Sequence, residues 1–178
     1  MTSPQKELTR GDEMITVGPK AKRLETILGN LLREKKFTIS CAESCTGGLL
    51  TNRFTDVSGS SDYVEGSIVS YSNKVKNNIL QVSSETLKNY GAVSEEVANE
   101  MAMNVREILN TTIGLSTTGI AGPTGATENK PIGLVFIGVS SEQKTVVRKF
   151  NFTGNRIEIK NQAVEAALIM LHEFLTAE

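Results

Sequence analysis

Along the chain the apolar positions switch repeatedly between a helical period of about 3.6 and a strand period of about 2. From Ala21 to Lys35, residues Leu24, Ile27, Leu28, Leu31 and Leu32 fall on one face and predict a helix. Phe37-Thr38-Ile39-Ser40-Cys41 alternates as a short strand, and Leu49, Leu50, Arg53 and Phe54 then recur at helical spacing within a helix from Thr46 to Thr55. Val57 to Asp62 is a loop by composition. Tyr63 to Tyr71 reads as a strand through Val64, Ile68, Val69 and Tyr71. Ser72 or Asn73 can cap a short helix reaching Leu80, and Ser83 or Ser84 can start another that stops near Gly91. Ser94-Glu95-Glu96-Val97 opens a longer helix, with Val97, Met101, Val105 and Ile108 on its apolar side and an end near Asn110. Ile113 to Thr117 is a strand, followed by the glycine-rich loop Thr118 to Gly125. Ile132 to Ser140 and Thr145 to Phe152 are close enough to pair as a hairpin around Glu142-Gln143. The last helix is expected from about Asn155 to Leu175.

Helices alternating with strands, plus a late hairpin, predict an α/β fold: a three-layer α/β/α sandwich with a mixed sheet. Residues 20–178 form the expected domain, and Met1 to Pro19 reads as a polar, poorly ordered arm ending in Gly18-Pro19. A chain of 178 residues, 39% hydrophobic and 22% charged, is long enough for one sizeable core. The net charge of −1 and an aromatic content of 5% without Trp argue against a nucleic-acid partner. No apolar run is long enough for a membrane span, and the polar N-terminus lacks the apolar stretch of a signal peptide, so a cytoplasmic location is expected.

Candidate chemistry concentrates in Ala42-Glu43-Ser44-Cys45-Thr46-Gly47-Gly48, a strand-to-helix turn. Its two glycines let backbone N–H groups face a ligand, so the turn suits a nucleophile, an oxyanion or a phosphate. The competing reading is an ordinary turn in which Ser44 caps the helix. Cys41 and Cys45 are the only cysteines, spaced CxxxC; this is neither a redox nor a zinc pattern, and Cys45 reads more readily as a structural thiol than as a nucleophile. The single histidine, His172, lies in the last helix among Met170, Leu171, Phe174 and Leu175, a poor position for a triad base. No cluster has metal-ligand spacing. A serine nucleophile therefore needs another base, and a lysine leads the options.

Tyr71-Ser72-Asn73-Lys74-Val75-Lys76 offers that lysine. With Asn73 as cap, Lys76 falls at the third helical position, where the helix dipole and Lys74 both disfavour an ammonium. Each effect is modest, so partial burial is needed to bring Lys76 near neutrality, and Tyr71 can bridge Lys76 and a hydroxyl. The alternative leaves Lys74 and Lys76 as solvated charges and Tyr71 as a core residue. The loop from Thr118 through Gly119 and Gly122 to Gly125 also follows a strand but is not a P-loop, since no Gly-Lys-Ser/Thr follows. Two such strand-end loops can meet over one pocket.

Taken in order, Ala42 to Gly48, Ser58-Gly59-Ser60-Ser61, Tyr71-Ser72-Asn73 with Lys76, Gly91-Ala92-Val93-Ser94, Thr118 to Pro123, Lys130-Pro131-Ile132-Gly133 and Gly154-Asn155-Arg156 resemble one family across roughly residues 22–175. That family is the C-terminal domain of CinA, the competence/damage-inducible protein, which includes nicotinamide mononucleotide amidohydrolases. The resemblance implies an α/β/α sandwich that hydrolyses the carboxamide of nicotinamide mononucleotide to nicotinic acid mononucleotide and ammonia, in pyridine nucleotide recycling. It implies Ser44 as nucleophile and Tyr71 and Lys76 as the residues that activate it and handle the leaving-group proton. Cys45, Thr46, Gly47, Gly48, Thr118, Gly119 and Gly122 are the expected substrate-binding positions, with no cofactor, no metal and a homo-oligomeric assembly. Two departures stand out. Larger family members carry an N-terminal domain resembling molybdopterin-binding proteins, where this chain has a short polar arm, so that domain's activity is expected to be absent. The family's loop after Pro123 is often richer in glycine than Thr124-Gly125-Ala126, which bears on substrate fit.

Overall fold

The structure, a computed structural model, describes residues 24–177. The expected N-terminal arm and the first three residues of the expected first helix lie outside that range. The elements in chain order are α1 (Leu24–Lys35), β1 (Ile39–Glu43), α2 (Leu49–Thr55), β2 (Val64–Val69), α3 (Asn73–Asn78), α4 (Ser84–Tyr90), α5 (Glu95–Ile108), β3 (Ile113–Gly119), β4 (Leu134–Ser140), β5 (Thr145–Asn151) and α6 (Arg156–Thr176), with a short 3₁₀ turn at Ser60–Asp62.

The five strands form one mixed sheet in the order β2-β1-β3-β4-β5. β1 runs parallel to both β2 and β3, while β4 and β5 are antiparallel additions that form the expected hairpin. α1, α2 and α6 cover one face through a core containing Leu28, Leu32, Leu50, Phe54, Leu168 and Leu171. α5 packs on the other face through Val97, Met101 and Val105, together with Ala42 of β1. The α/β/α layering inferred from the hydrophobic pattern is therefore the observed one. β1, β3 and β4 are buried almost throughout because helices cover both faces, and β4 accordingly reads as a nearly continuous apolar run. The edge strand β2 alternates between half-buried and exposed positions.

Helix starts follow local capping chemistry. Ser72, Ser83 and Ser94 accept backbone N–H bonds at the starts of α3, α4 and α5. Asn155 and Glu158 form a reciprocal capping box at α6. Several expected boundaries move, among them β3, which runs on through Thr118 to Gly119, and β4, which begins at Leu134 and not Ile132. Because Ser72 rather than Asn73 is the cap, Lys76 is the fourth helical residue of α3 and not the third. β1 begins at Ile39 and extends to Glu43, which brings Glu43 into the sheet. α2 begins at Leu49 instead of Thr46, because Gly47 (φ 64°) and Gly48 (φ 99°) both take the left-handed conformation.

Candidate active site

The strand order switches sides at β1: the crossover through α2 leads to β2 on one side, and the parallel strand β3 lies on the other. Ligands in open α/β sheets bind at such a point, beyond the carboxyl ends of the strands. Ser44 is the first residue past β1. Its N–H donates to the Thr117 carbonyl of β3 (2.9 Å), while the Ser70 N–H beyond β2 donates to the Glu43 carbonyl (2.8 Å). Three adjacent strand ends thus hold Ser44 from both sides.

Lys76 reaches this point from α3. Its Nζ donates to Ser44 Oγ at 2.8 Å and to the Ser70 carbonyl at 2.6 Å. Ser44 is 8% exposed and Lys76 only 1%. Burial lowers the lysine pKa from 10.5 to about 8, against a smaller opposing influence from Cys45. The helix dipole and Lys74, which the spacing singled out, are not what moves it; desolvation is.

Cys45 lines the same cavity, but burial pushes its thiol up to about 12, so it is a protonated thiol at neutral pH. His172 lies sixteen residues along α6 from Arg156, about 24 Å at the helical rise, so the imidazole is remote from Ser44. Among the described residues no group of three His, Cys, Asp or Glu side chains could hold a metal ion.

The cavity, about 250 Å³, is lined by Ser44, Cys45, Lys76, Tyr71, Thr118, Gly119 and Arg156, with Ala92, Val93 and Ala121 completing the wall. The two glycine loops do meet over one pocket. Tyr71 belongs to it at the rim, 63% exposed, where its hydroxyl accepts from the Arg156 guanidinium at 3.1 Å. No hydrogen bond joins Tyr71 to Ser44 or Lys76 among the described residues, so the expected bridge is replaced by direct amine-to-hydroxyl contact. Tyr71 is not a core residue, and Lys76 is not a solvated charge.

Gly122 takes part through its carbonyl, which accepts from Arg156 at 2.6 Å. Thr118 donates its hydroxyl to the Ala92 carbonyl at 2.7 Å, joining the loop before α5 to the end of β3. Thr46 is fully buried and bonds to Glu43 (2.6 Å) and Thr117 (2.7 Å), so its side chain serves the scaffold and does not face a ligand. Gly48 donates its N–H to Glu43 at 2.8 Å and is no free donor. Ser44 does not cap α2; the carboxylate of Glu43 does, as described below.

Arg156 and Lys160 were not among the positions the sequence singled out for binding. Arg156 opens α6 and lines the cavity; Lys160, one turn later, brings its Nζ to 3.8 Å from where a Cβ on Gly47 would sit. Neither has a carboxylate partner among the described residues. Their i, i+4 spacing just after a capping box was the available signal.

A family profile for the CinA C-terminal domain matches residues 21–175. The chain is 48% identical over 155 residues to a CinA-like protein of Syntrophus aciditrophicus, covering 86% of this chain and 37% of that one. It is also 48% identical over 158 residues to a CinA-like protein of Salinibacter ruber, covering 89% and 38% respectively. The chain thus spans well under half the length of these curated relatives. The crystal structure of the competence/damage inducible protein CihA from Agrobacterium tumefaciens superposes with a TM-score of 0.82 at 34% identity, covering 84% of this chain and 92% of that one. With its matched profile, its relatives and its structural neighbours in agreement, the chain belongs to the CinA C-terminal domain family.

Proposed function

We propose that this domain is a serine amidohydrolase that converts nicotinamide mononucleotide to nicotinic acid mononucleotide and ammonia. One observation carries the reading: a buried lysine, its pKa lowered to about 8, lies 2.8 Å from a serine hydroxyl at the carboxyl end of the sheet. Neutral Lys76 takes the Ser44 proton as Oγ attacks the carboxamide carbon. The resulting ammonium then protonates the departing nitrogen, the C–N bond breaks, and ammonia leaves an ester on Ser44. Lys76, neutral again, deprotonates a water that attacks the ester carbon; the C–O bond breaks, the lysine returns the proton to Ser44 Oγ, and the carboxylic acid leaves.

Two features of the rim support an anionic, phosphate-bearing substrate. Arg156 lines the cavity and Lys160 approaches Gly47 of the nucleophile turn, both without carboxylate partners among the described residues, and the one carboxylate beside the nucleophile, Glu43, is fully buried. Arg156 keeps N–H donors beyond those given to Gly122 and Tyr71, in the fork geometry that suits phosphate. Tyr71 steadies that guanidinium at the rim.

The test is ammonia release from nicotinamide mononucleotide by wild type, Ser44→Ala and Lys76→Ala. Loss of at least three orders of magnitude in both variants is expected, on the scale of removing a member of a catalytic unit. Full turnover by Ser44→Ala removes the nucleophile assignment; saturable binding without product in wild type leaves a nucleotide-binding domain.

A further inference from the structure

Glu43 is a charged residue at the end of a central strand, fully buried, directly before Ser44. Its carboxylate accepts five hydrogen bonds from the turn that follows. Oε2 receives the Thr46 hydroxyl (2.6 Å) and the N–H groups of Gly48 (2.8 Å) and Leu50 (3.1 Å). Oε1 receives the N–H (2.8 Å) and the hydroxyl (2.6 Å) of Thr51. Neither carboxylate oxygen faces the Ser44–Lys76 pair as a hydrogen-bond partner.

These five bonds sort the donors of the turn. The N–H groups of Gly48, Leu50 and Thr51 are engaged by Glu43, and those of Ser44 and Leu49 by the carbonyls of Thr117 and Thr46. The N–H groups of Thr46 and Gly47 remain without an acceptor among the described residues of this turn, and that of Cys45 meets only its own thiol sulfur. They follow the nucleophile directly, and the N–H just after the nucleophile is where an oxyanion is received in other strand-to-helix nucleophile turns. An acceptor-only group is required for this sorting, since all five partners are donors.

We propose that Glu43 is a positioning residue: its carboxylate fixes the Ser44 turn so that the N–H groups of Cys45, Thr46 and Gly47 stand ready for the oxyanion. The inference rests on the serine-hydrolase reading above. Glutamine at this position has one acceptor oxygen and a donor amide, so at least two of the five buried donors lose their partner and the turn rearranges.

The test uses the rate at which a fluorophosphonate, a general serine-directed probe, labels the whole chain. It is independent of the natural substrate. Glu43→Gln is expected to slow labelling on the order of 100-fold, the scale of losing an oxyanion donor. Its pH midpoint should stay near that of wild type, because Lys76 is untouched; a general collapse of the site would expose Lys76 and move the midpoint up. Thr51→Val removes only the hydroxyl donor to Oε1 and is expected to slow labelling by roughly tenfold with the fold intact. Labelling of Thr51→Val and of folded Glu43→Gln at the wild-type rate overturns the proposal, while leaving serine chemistry standing. Absence of Ser44 labelling in wild type overturns the serine chemistry itself and the proposal with it.

Discussion

Lys76 loses water on burial and gains only two neutral oxygen acceptors, Ser44 Oγ and the Ser70 carbonyl, so its charged form is penalised. With a midpoint of about 8, roughly a tenth of the amine is neutral at pH 7 and nearly all of it at pH 9. The neutral form is the base, so amide hydrolysis should rise close to tenfold per pH unit between pH 6 and 7 and level off above about pH 9. A pH–rate profile of ammonia release measures this directly, and a flat profile over that range would take the base role away from Lys76. Cys45, one residue from the nucleophile, contributes nothing ionised to that profile, since its thiol stays protonated until about pH 12. The sequence made Ser44 and Lys76 visible as candidates, one by its glycine-flanked turn and the other by its helix. It did not show Glu43 as the true cap of α2, because a strand residue reaching forward into the next helix has no local spacing rule.

Among the elements, α5 lies close against the sheet over β3 and β4. Gly114 and Gly138 sit beneath it: a Cβ on Gly114 would collide with the Ala102 carbonyl oxygen, and one on Gly138 would come 2.8 Å from that of Ala98. The Ser116 hydroxyl, on β3 with Gly114 and paired with Gly138 of β4, donates to the Ala98 carbonyl at 2.7 Å. Gly114→Ala is therefore expected to push α5 outward and destabilise the domain by about 2–3 kcal/mol, measured as a shift in the denaturant midpoint. An unchanged midpoint would mean that the helix can slide without loss. Helix existence was legible from apolar spacing, and the starts of α5 and α6 from Ser94 and Asn155, whereas Ser72 or Asn73 and Ser83 or Ser84 stayed open for α3 and α4. Strand ends were harder to read: β1 moved two residues forward, because pairing with β2 and β3 determines its register and local alternation does not.

For the whole molecule, the buried amine is a cost that the fold carries below pH 8. The unfolded lysine titrates near 10.5 and the folded one near 8, so between these values the unfolded state binds more protons. Stability of the wild type relative to Lys76→Met should therefore rise with pH across that window, by about 3 kcal/mol in total, and stay level below pH 8. Chemical denaturation of both proteins at several pH values measures the difference, and parallel stabilities from pH 8 to 10.5 would contradict the burial of a titrating amine. The cost is borne at the point where three strand ends meet, opposite the remote end of α6 that carries His172.

By itself the sequence determined the layered α/β architecture and the two glycine loops, since each follows from short-range periodicity and backbone freedom. It also carried the family membership, through motifs kept in fixed order. Only the tertiary structure decided that Lys76 touches Ser44 directly, that Tyr71 stands at the rim with Arg156, and that Lys160 approaches Gly47. Those contacts join residues 32, 85 and 113 positions apart in the chain. Burial and strand order produce such contacts, and neither quantity is written in any local stretch of residues.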